Sequence, residues 1–314
     1  MKEYDVAVIG AGPAGLTAAM FSARRGLKTI VMGDPSSMSQ AEEATVIDNW
    51  PGETSIAGAE LVKRLSKHAE HAGAEMVREK VVAIDKRGKK PKEGGDGFTV
   101  ITEQSGKPGY ISKTIIMATG TKHRKGIVKG ETEYSGKGVS YCAACDAPMF
   151  KGKRVLYIGG GDSAVMGALL SERVGSETML IHRRDRLRAV ESQQKQILKS
   201  KVKIMWNTVP VEIKGDRFVK SIEVMNVKTK KKQDIPVDAV FVTLGTVPTA
   251  ELAKKLGIKI DEKGFIVVDK DMKTNVPGVF AAGDCTDNPL KQVISACGDG
   301  AVAATSAYFY FHDY

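Results

Sequence analysis

Two glycine-rich turns, each set between an apolar segment and a helical one, constrain the fold of this chain most strongly. The first occupies residues 10–15, between the β-branched segment 4–9 and the helical segment 16–25. The second occupies residues 159–164 and begins 149 residues after the first. A strand, a glycine turn and a helix together open a dinucleotide-binding βαβ unit. The chain is therefore predicted to be an α/β protein with two Rossmann-like domains of related design.

The spacing of the first turn fits the phosphates of a dinucleotide. Gly10 permits the tight turn, Gly12 lets the backbone approach the pyrophosphate, and Gly15 lets the helix pack on the strand. The N-terminus of that helix adds free N–H groups and a favourable dipole. Asp34 follows the second strand, near the position that binds ribose hydroxyls. The predicted contacts are Gly10, Gly12, Pro13, Ala14, Gly15 and Asp34.

The second turn is followed by a basic segment where an acid is usual. Its predicted nucleotide contacts are Gly159, Gly161, Asp162, Ser163 and Ala164. The next strand, 178–181, is followed by His182, Arg183, Arg184 and, shortly afterwards, Arg188. An NAD site usually has an acid here for the ribose 2′-hydroxyl, whereas arginines suit the 2′-phosphate of NADP by charge and bidentate geometry. The segment therefore predicts an NADP site, and a solvated basic loop is the alternative.

A CxxC motif, Cys142 and Cys145, lies between the two turns. Its spacing allows a small disulfide ring, a zinc site or neither. A closed zinc site needs about four ligands, usually as two such pairs, and Cys285 and Cys297 stand apart on different segments. No metal site is therefore predicted. Asp146, next to the pair, can exchange the proton that thiolate chemistry requires, although it can also cap a helix.

The composition argues against several other classes of protein. Four cysteines in 314 residues do not make a disulfide-stapled secreted fold, and no apolar run reaches the roughly 18 residues of a membrane span. Residues 1–4 lead straight into a strand without a signal peptide, so the cytoplasm is the expected compartment.

The net charge is +10, with basic clusters at residues 86–92 and 228–232 between strand-like segments. Nucleic-acid binding is not expected without aromatic interleaving, but such a surface can attract an acidic protein.

Two apolar strands mark where the chain is predicted to cross between its domains. They span residues 115–120 and 240–246, and both end in small residues. The second domain is therefore predicted to be inserted into the first. The first domain comprises residues 1–119 and 247–314, and the second comprises residues 120–246 with the CxxC motif.

Further residues are candidates for a flavin site. Gly283 and Asp284 end a strand before a helical segment, where an acid can hydrogen-bond the hydroxyls of a flavin side chain. Asn49 belongs to a segment that can line an aromatic flavin pocket. Ordinary turns are the alternative at both places. Thr119 and Gly120, at the end of the first crossing strand, are also predicted cofactor contacts.

These features together resemble the low-molecular-weight thioredoxin reductases, over about residues 4–304. The segments that carry the resemblance are 10–15, 49–52, 118–121, 142–146, 159–164, 182–188 and 278–284. The resemblance implies a class II pyridine nucleotide-disulfide oxidoreductase, with FAD in the first domain and NADPH in the inserted one. It also implies a homodimer whose partner is thioredoxin or a thioredoxin-like protein.

The resemblance also implies roles for individual residues. Cys145 would be the sulfur that faces the flavin, Cys142 the one that attacks the thioredoxin disulfide, and Asp146 the acid–base group. Lys291 and Gln292 resemble a pair that contacts the flavin ring. The expected activity is thioredoxin-disulfide reduction, in which electrons pass from NADPH to FAD, to the cysteine pair and to thioredoxin.

Two positions depart from the pattern of that family. Met38 and Ser39 precede Gln40 where the family usually has two glycines, although Gln40 is still predicted to contact the flavin. Met166 and Gly167 stand where the family usually has two acids.

Three alternative functions share the same motifs. One is a reductase of the same fold with another electron donor, such as ferredoxin or a deazaflavin, or with another disulfide acceptor. The second is a disulfide oxidase that passes electrons from flavin to oxygen. The third is an NADPH-sensing interaction protein without catalysis. The arginines weigh against the second, and the intact CxxC with its Asp weighs against the third.

Overall fold

The computed structural model describes residues 1–88, 97–104 and 108–312. Residues 89–92 of the first basic cluster lie outside these residues. The helices are α1 (Pro13–Arg24), α2 (Gly58–His71), α3 (Ala143–Asp146), α4 (Asp162–Arg173), α5 (Glu191–Lys199), α6 (Glu251–Lys255) and α7 (Val293–Phe311). Short 3₁₀ helices span Ala147–Phe150 and Gly283–Cys285.

The strands of the described residues follow in chain order. They are β1 (Lys2–Ile9), β2 (Thr29–Met32), β3 (Glu75–Val77), β4 (Val81–Lys86), β5 (Phe98–Thr102), β6 (Pro108–Met117), β7 (Thr121–His123), β8 (Val139–Ser140), β9 (Arg154–Ile158), β10 (Glu177–Ile181), β11 (Lys203–Met205), β12 (Thr208–Gly215), β13 (Val219–Asn226), β14 (Lys232–Pro236), β15 (Ala239–Val242), β16 (Thr246–Pro248) and β17 (Val279–Ala281).

The first compact unit comprises Met1–Glu42, Val46–Lys122 and Val247–Tyr314. Its sheet has the order β3-β2-β1-β6-β5-β4, and β17 also pairs with β6. Strands β3, β2, β1, β6 and β17 are parallel, whereas β4 and β5 form an antiparallel edge. The long strand β6 has partners of both directions, because its first half pairs with the antiparallel strand β5 and its last residues pair with the parallel strand β17.

Strand β1 is buried on both faces of this sheet, as expected for a central parallel strand. Val6 and Val8 belong to the core cluster that includes α1 and α7, whereas Ala7 and Ile9 belong to the cluster on the opposite face. Helices α1 and α7 pack closely, since a Cβ at Gly300 would lie 2.2 Å from the nearest backbone oxygen of α1. This packing fixes the start of α1, and with it the first glycine turn.

The second unit comprises Glu43–Thr45 and His123–Thr246. Its main sheet is parallel and has the order β11-β10-β9-β15-β8. A separate antiparallel sheet has the order β12-β13-β14. The basic cluster 228–232 lies where β13 turns into β14, which confirms its prediction as a loop between strands.

The chain passes between the two units at β7 and β16, and these two strands pair with each other. The predicted domain limits lay after residues 119 and 246, and the structural division follows Lys122 and Thr246. The assignment of FAD to the first unit and NADPH to the second stays a prediction. No helix among the described residues is long and apolar enough to span a membrane.

Candidate functional site

The first glycine turn joins β1 to α1, and the fold itself requires its two outer glycines. Gly10 has φ +114°, and a Cβ there would lie 2.2 Å from the Ala118 carbonyl oxygen at the end of β6. A Cβ at Gly15 would lie 1.9 Å from the Gly10 carbonyl oxygen. At Gly12, by contrast, a Cβ would meet only the Ser39 Cβ, at 3.5 Å. The space before α1 is open to a ligand, and the free amides there fit a pyrophosphate.

Asp34 lies two residues after the end of β2, in a loop whose backbone is fixed by side chains. Its Oδ1 accepts hydrogen bonds from the Ser36 backbone N–H (2.9 Å) and hydroxyl (2.6 Å). The Ser39 N–H donates to Glu42 Oε2 at 2.7 Å, and the Glu42 N–H donates to Ser39 Oγ at 3.3 Å. This reciprocal pair holds the backbone around Gln40, in a loop without the usual glycine pair.

Three predicted flavin residues meet at the start of α7. Asn49 Nδ2 donates a hydrogen bond to Gln292 Oε1 at 2.9 Å. Lys291 Nζ donates to the Thr286 carbonyl at 2.5 Å and lies 4.5 Å from the centre of the Phe265 ring. Partial burial lowers the pKa of Lys291. The structure therefore gathers an amide pair and a partly desolvated ammonium group at one place in the first unit.

Asp284 lies on the 3₁₀ turn Gly283–Cys285, which follows β17. Burial raises the pKa of its carboxyl, while the charge of Lys291 opposes this and that of Asp299 adds to it. Asp299, which the sequence analysis missed, accepts hydrogen bonds from the Gly283 N–H (3.2 Å) and Asn288 Nδ2 (2.8 Å). Asp299 thus holds the turn. No hydrogen bond of the described residues uses the Asp284 carboxyl, which fits a ligand rich in hydroxyls.

Thr119 and Gly120 hold the first crossing in place. Thr119 Oγ1 donates to the Thr249 carbonyl at 2.5 Å, and the Thr249 N–H donates to the Gly120 carbonyl at 3.0 Å. Their predicted contact with a cofactor stays a prediction.

The second glycine turn joins β9 to α4. As in the first turn, a Cβ would overlap neighbouring atoms at one glycine and would meet open space at another. A Cβ at Gly159 would lie 2.9 Å from the Ala164 Cβ, whereas a Cβ at Gly161 would have nothing within 4 Å. Asp162 Oδ1 accepts a 2.8 Å hydrogen bond from the backbone N–H that precedes α5. Ser163 is exposed and Ala164 is buried. The open glycine and the exposed start of α4 fit a second phosphate group.

The basic segment after β10 lies against this turn. The His182 ring is buried over Gly160, where a Cβ would lie 2.4 Å from it. Burial lowers the pKa of His182, and the charge of Arg188 lowers it further. The Arg188 N–H donates to the Gly160 carbonyl at 2.6 Å. Arg183, Arg184 and Arg188 are exposed, and none forms an ion pair within the described residues. Guanidinium groups without acidic partners fit an anion such as a phosphate.

The cysteine pair forms a disulfide at the start of α3 in the second unit. Cys142 and Cys145 have their Cα atoms 5.4 Å apart, and the Cys145 N–H donates to Cys142 Sγ at 3.2 Å. Cys145 is exposed and Cys142 is half-buried. Asp146 ends the helix, and its Oδ2 accepts a 2.7 Å hydrogen bond from Ser140, a residue the sequence analysis did not single out. A reducible disulfide and a carboxylate thus share one short turn.

Comparison with known proteins places this arrangement in a family. Residues 4–300 match the model of the pyridine nucleotide-disulphide oxidoreductases. The chain belongs to this family. It is 39% identical to a thioredoxin reductase of Listeria innocua, over 99% of this chain and 95% of that protein.

Two solved structures are similar along nearly the whole chain. Thioredoxin reductase of Lactococcus lactis has a TM-score of 0.90 and 40% identity, covering 99% of this chain and 100% of that one. Thioredoxin reductase of T. acidophilum has a TM-score of 0.89 and 36% identity, covering 98% of each chain. The predicted fold class, with two Rossmann-like domains, and the predicted family are confirmed.

One departure from the family pattern has a packing reason. A Cβ at Gly167 in α4 would lie 2.6 Å from Tyr157 Cε1 and 2.9 Å from the Ala143 Cβ of α3. The Tyr157 ring is fully buried and stacks on Phe241, with ring centres 4.5 Å apart. Because this tyrosine fills the space, an acid at residue 167 has no room. Gly167 also lets α3, the helix of the redox pair, lie directly on α4.

Gly167→Ala is therefore expected to destabilise the protein by about 1–3 kcal/mol, the usual cost of overpacking a core. The measurement is the free energy of unfolding in denaturant. Gly298→Ala is the matched control: it lies inside α7, and its added Cβ would have nothing within 4 Å. The control should gain helix propensity and be neutral or slightly stabilised. Equal effects of the two changes would contradict the close contact with Tyr157.

Proposed function

We propose that this protein is an NADPH-dependent thioredoxin reductase that uses FAD and the Cys142–Cys145 disulfide. The observation that carries the proposal is that disulfide, beside Asp146, in a chain similar over nearly its full length to thioredoxin reductases. Thioredoxin reductases of this family use FAD and NADPH, and the open glycine turns described above fit both nucleotides. FAD, when bound, supplies the two-electron relay between a nicotinamide and a disulfide.

The residues that would hold the two nucleotides lie in separate units. In the first unit, the turn before α1 would hold the FAD pyrophosphate, and Asp34 and Asp284 would bind hydroxyls. Lys291, with Asn49 and Gln292, would lie at the flavin ring. In the second unit, the turn before α4 would hold the NADPH pyrophosphate. The 2′-phosphate would lie against His182, Arg183, Arg184 and Arg188, a group that favours NADPH over a donor without this phosphate.

The cysteine pair would carry out the exchange with thioredoxin. Reduction of the Cys142–Cys145 bond takes two electrons and two protons and gives two thiols. Cys142, as a thiolate, attacks one thioredoxin sulfur, so that a mixed disulfide forms and the other thioredoxin sulfur leaves. Cys145 then attacks Cys142 Sγ, which restores the enzyme disulfide and releases reduced thioredoxin. Asp146 accepts the proton of the attacking thiol and returns it to a leaving sulfur.

The partner is proposed to be a thioredoxin or a thioredoxin-like protein with an acidic surface. Most of the net charge of +10 belongs to the second unit, which also carries the cysteine pair. A basic surface around a redox site raises the rate of encounter with an acidic protein.

We also propose a homodimer and a cytoplasmic location. Ile294, Val302 and Phe309 lie on one side of α7, with Leu290 just before the helix, and all four are exposed. A second copy of the chain would bury this apolar surface. The two other cysteines, Cys285 and Cys297, are free thiols, which fits a reducing compartment.

Anaerobic titration of the purified holoenzyme tests donor, flavin and acceptor together. NADPH is expected to bleach the flavin absorbance, NADH to bleach it far less, and oxidised thioredoxin to restore the colour with release of thiols. A flavin bleached by dithionite but not by NADPH would identify a reductase with another donor. Rapid peroxide formation from dithiol substrates, without thioredoxin turnover, would identify an oxidase.

A further inference from the structure

The hydroxyl of Ser140 occupies a fixed position beside the redox pair. Ser140 ends β8, two residues before Cys142, and only 5% of its surface is exposed. Its backbone is held in the parallel sheet, opposite Phe241 of β15. Because strand pairing fixes the backbone, the hydroxyl can reach only the groups directly around it.

This hydroxyl links both ends of the redox turn. Ser140 Oγ lies 2.7 Å from Asp146 Oδ2, 3.2 Å from the Cys142 backbone N and 3.4 Å from the Cys142 carbonyl oxygen. The N–H of Cys142 can only donate, so Oγ accepts there. A hydroxyl has one proton to give, and the short distance to a carboxylate makes Asp146 its acceptor. The hydrogen bonds therefore run from Cys142 through Ser140 to Asp146.

We propose that Ser140 is a positioning residue for the dithiol–disulfide reaction, because its hydroxyl orients the Asp146 carboxylate beside the cysteine pair. The proposal rests on the function proposed above for the cysteine pair. When a reduced cysteine attacks a disulfide, its thiol proton passes to Asp146 and its sulfur forms the new S–S bond. The old S–S bond breaks, and its second sulfur leaves with the electron pair. The hydrogen bond from Ser140 holds one oxygen of this carboxylate in place while the carboxylate accepts the proton.

Few other titratable groups reach Asp146. The Tyr157 phenol on β9 interacts with it electrostatically and is itself hydrogen-bonded to Ser171 at 2.7 Å. Helix α4 packs on α3 through Gly167 and carries its charged residues at its two ends, namely Asp162, Glu172 and Arg173. The 3₁₀ helix that follows Asp146 has no titratable side chain. Among the described residues, Ser140 is the only side chain that donates a hydrogen bond to this carboxylate.

The test is a double-mutant cycle on the exchange reaction of the reduced holoenzyme. The protein is reduced with dithiothreitol, freed of it and mixed with the aromatic disulfide dithiobis(nitrobenzoate) at neutral pH. Ser140→Ala is expected to slow the exchange about tenfold, as loss of a hydrogen bond to a charged group implies. In an Asp146→Asn background, Ser140→Ala is expected to change the rate by less than about twofold.

Control variants separate this role from a structural one. Ser140→Thr keeps the hydroxyl and should restore the exchange rate towards the native value. Ser176→Ala removes another buried hydroxyl of the same unit, which donates to the Phe150 carbonyl at 2.8 Å, and should leave the exchange rate near the native value. Ser140→Gly, which also lacks the hydroxyl, replaces Ser140→Ala if the latter does not fold.

Two results would overturn the role of Ser140. They are a native exchange rate in Ser140→Ala, and an equal loss of rate on adding Ser140→Ala to the native and Asp146→Asn backgrounds. Reduction of thioredoxin by NADPH is measured separately on the native protein. A failed thioredoxin assay would thus refute the proposed function, and the exchange assay would still decide the role of the hydroxyl.

Discussion

Cys145→Ser is expected to leave a protein that binds FAD and NADPH normally but reduces thioredoxin at least about 10⁴-fold more slowly, as for loss of other enzymic nucleophiles. Without Cys145 the enzyme disulfide cannot form, so electrons have no acceptor between the flavin and the partner. The measurement is NADPH oxidation coupled to a thioredoxin. Flavin bleaching by NADPH should persist, because the nucleotide turns and the arginine segment are unchanged.

The same variant tests which sulfur attacks the partner. In Cys145→Ser, Cys142 is expected to form a stable mixed disulfide with a thioredoxin that carries an activated disulfide, because the resolving thiol is missing. In Cys142→Ser, the remaining Cys145 should trap far less thioredoxin. The reverse pattern would exchange the two roles. This test is needed because Cys145 is the more exposed of the two in the structure, whereas the family resemblance gives the attack to Cys142.

Cys297→Ser is the matched control for this pair of variants. Cys297 is a buried free thiol in the first unit, and its Sγ lies 3.7 Å from the Pro13 carbonyl oxygen. A serine hydroxyl can replace this contact at nearly the same volume. Thioredoxin reduction should therefore stay within about twofold of the native rate, a size typical of conservative changes outside the reaction path.

The sequence predicted those features that depend on residues close to one another in the chain. The glycine turns are predictable because the spacing of their glycines alone indicates a tight turn followed by a helix packed on the strand. The helices begin earlier than predicted, since α1 starts at Pro13 and not at Leu16. Proline suits the first helical position, because its missing N–H would have no partner there. Helix α4 likewise begins at Asp162, within the segment 159–164 that was assigned to the second glycine turn.

The contacts that the sequence could not predict are between residues that only the tertiary structure brings together. Ser140 meets Asp146 only because β8 ends in the parallel sheet and α3 turns back over it. Residue 167 has no room for a side chain because Tyr157 of β9 lies against it. The identity of neither residue reveals this contact in the sequence. Asn49 and Gln292 are 243 residues apart and were singled out on separate grounds, and the structure adds their hydrogen bond.

The second large effect concerns the choice of nucleotide. Replacing both Arg183 and Arg188 with alanine is expected to lower kcat/KM for NADPH by about 10²-fold or more, at roughly tenfold or more for each lost hydrogen bond to a charged group. The rate with NADH should change little, because NADH has no 2′-phosphate. The preference for NADPH over NADH should therefore collapse.

The loss should appear in KM and not in kcat. The arginines would hold a phosphate far from the reacting carbon, so they stabilise the bound nucleotide equally before and during hydride transfer. Steady-state rates at saturating NADPH should stay near the native value. Because exposed charges are screened by ions, raising the ionic strength should increase the KM for NADPH in the native protein more than in the double variant.

Arg217→Ala separates a specific phosphate contact from a general loss of positive charge. Arg217 is exposed between β12 and β13 of the same unit, and its guanidinium lies 5.6 Å from the centre of the Phe218 ring. It should leave kcat/KM for both nucleotides within about twofold, as expected for a surface change. Equal losses for NADPH and NADH in the double variant would mean that the arginines only support the fold of the segment after β10. A loss confined to NADPH can arise only if the guanidinium groups bind the 2′-phosphate, since that group alone distinguishes the two donors.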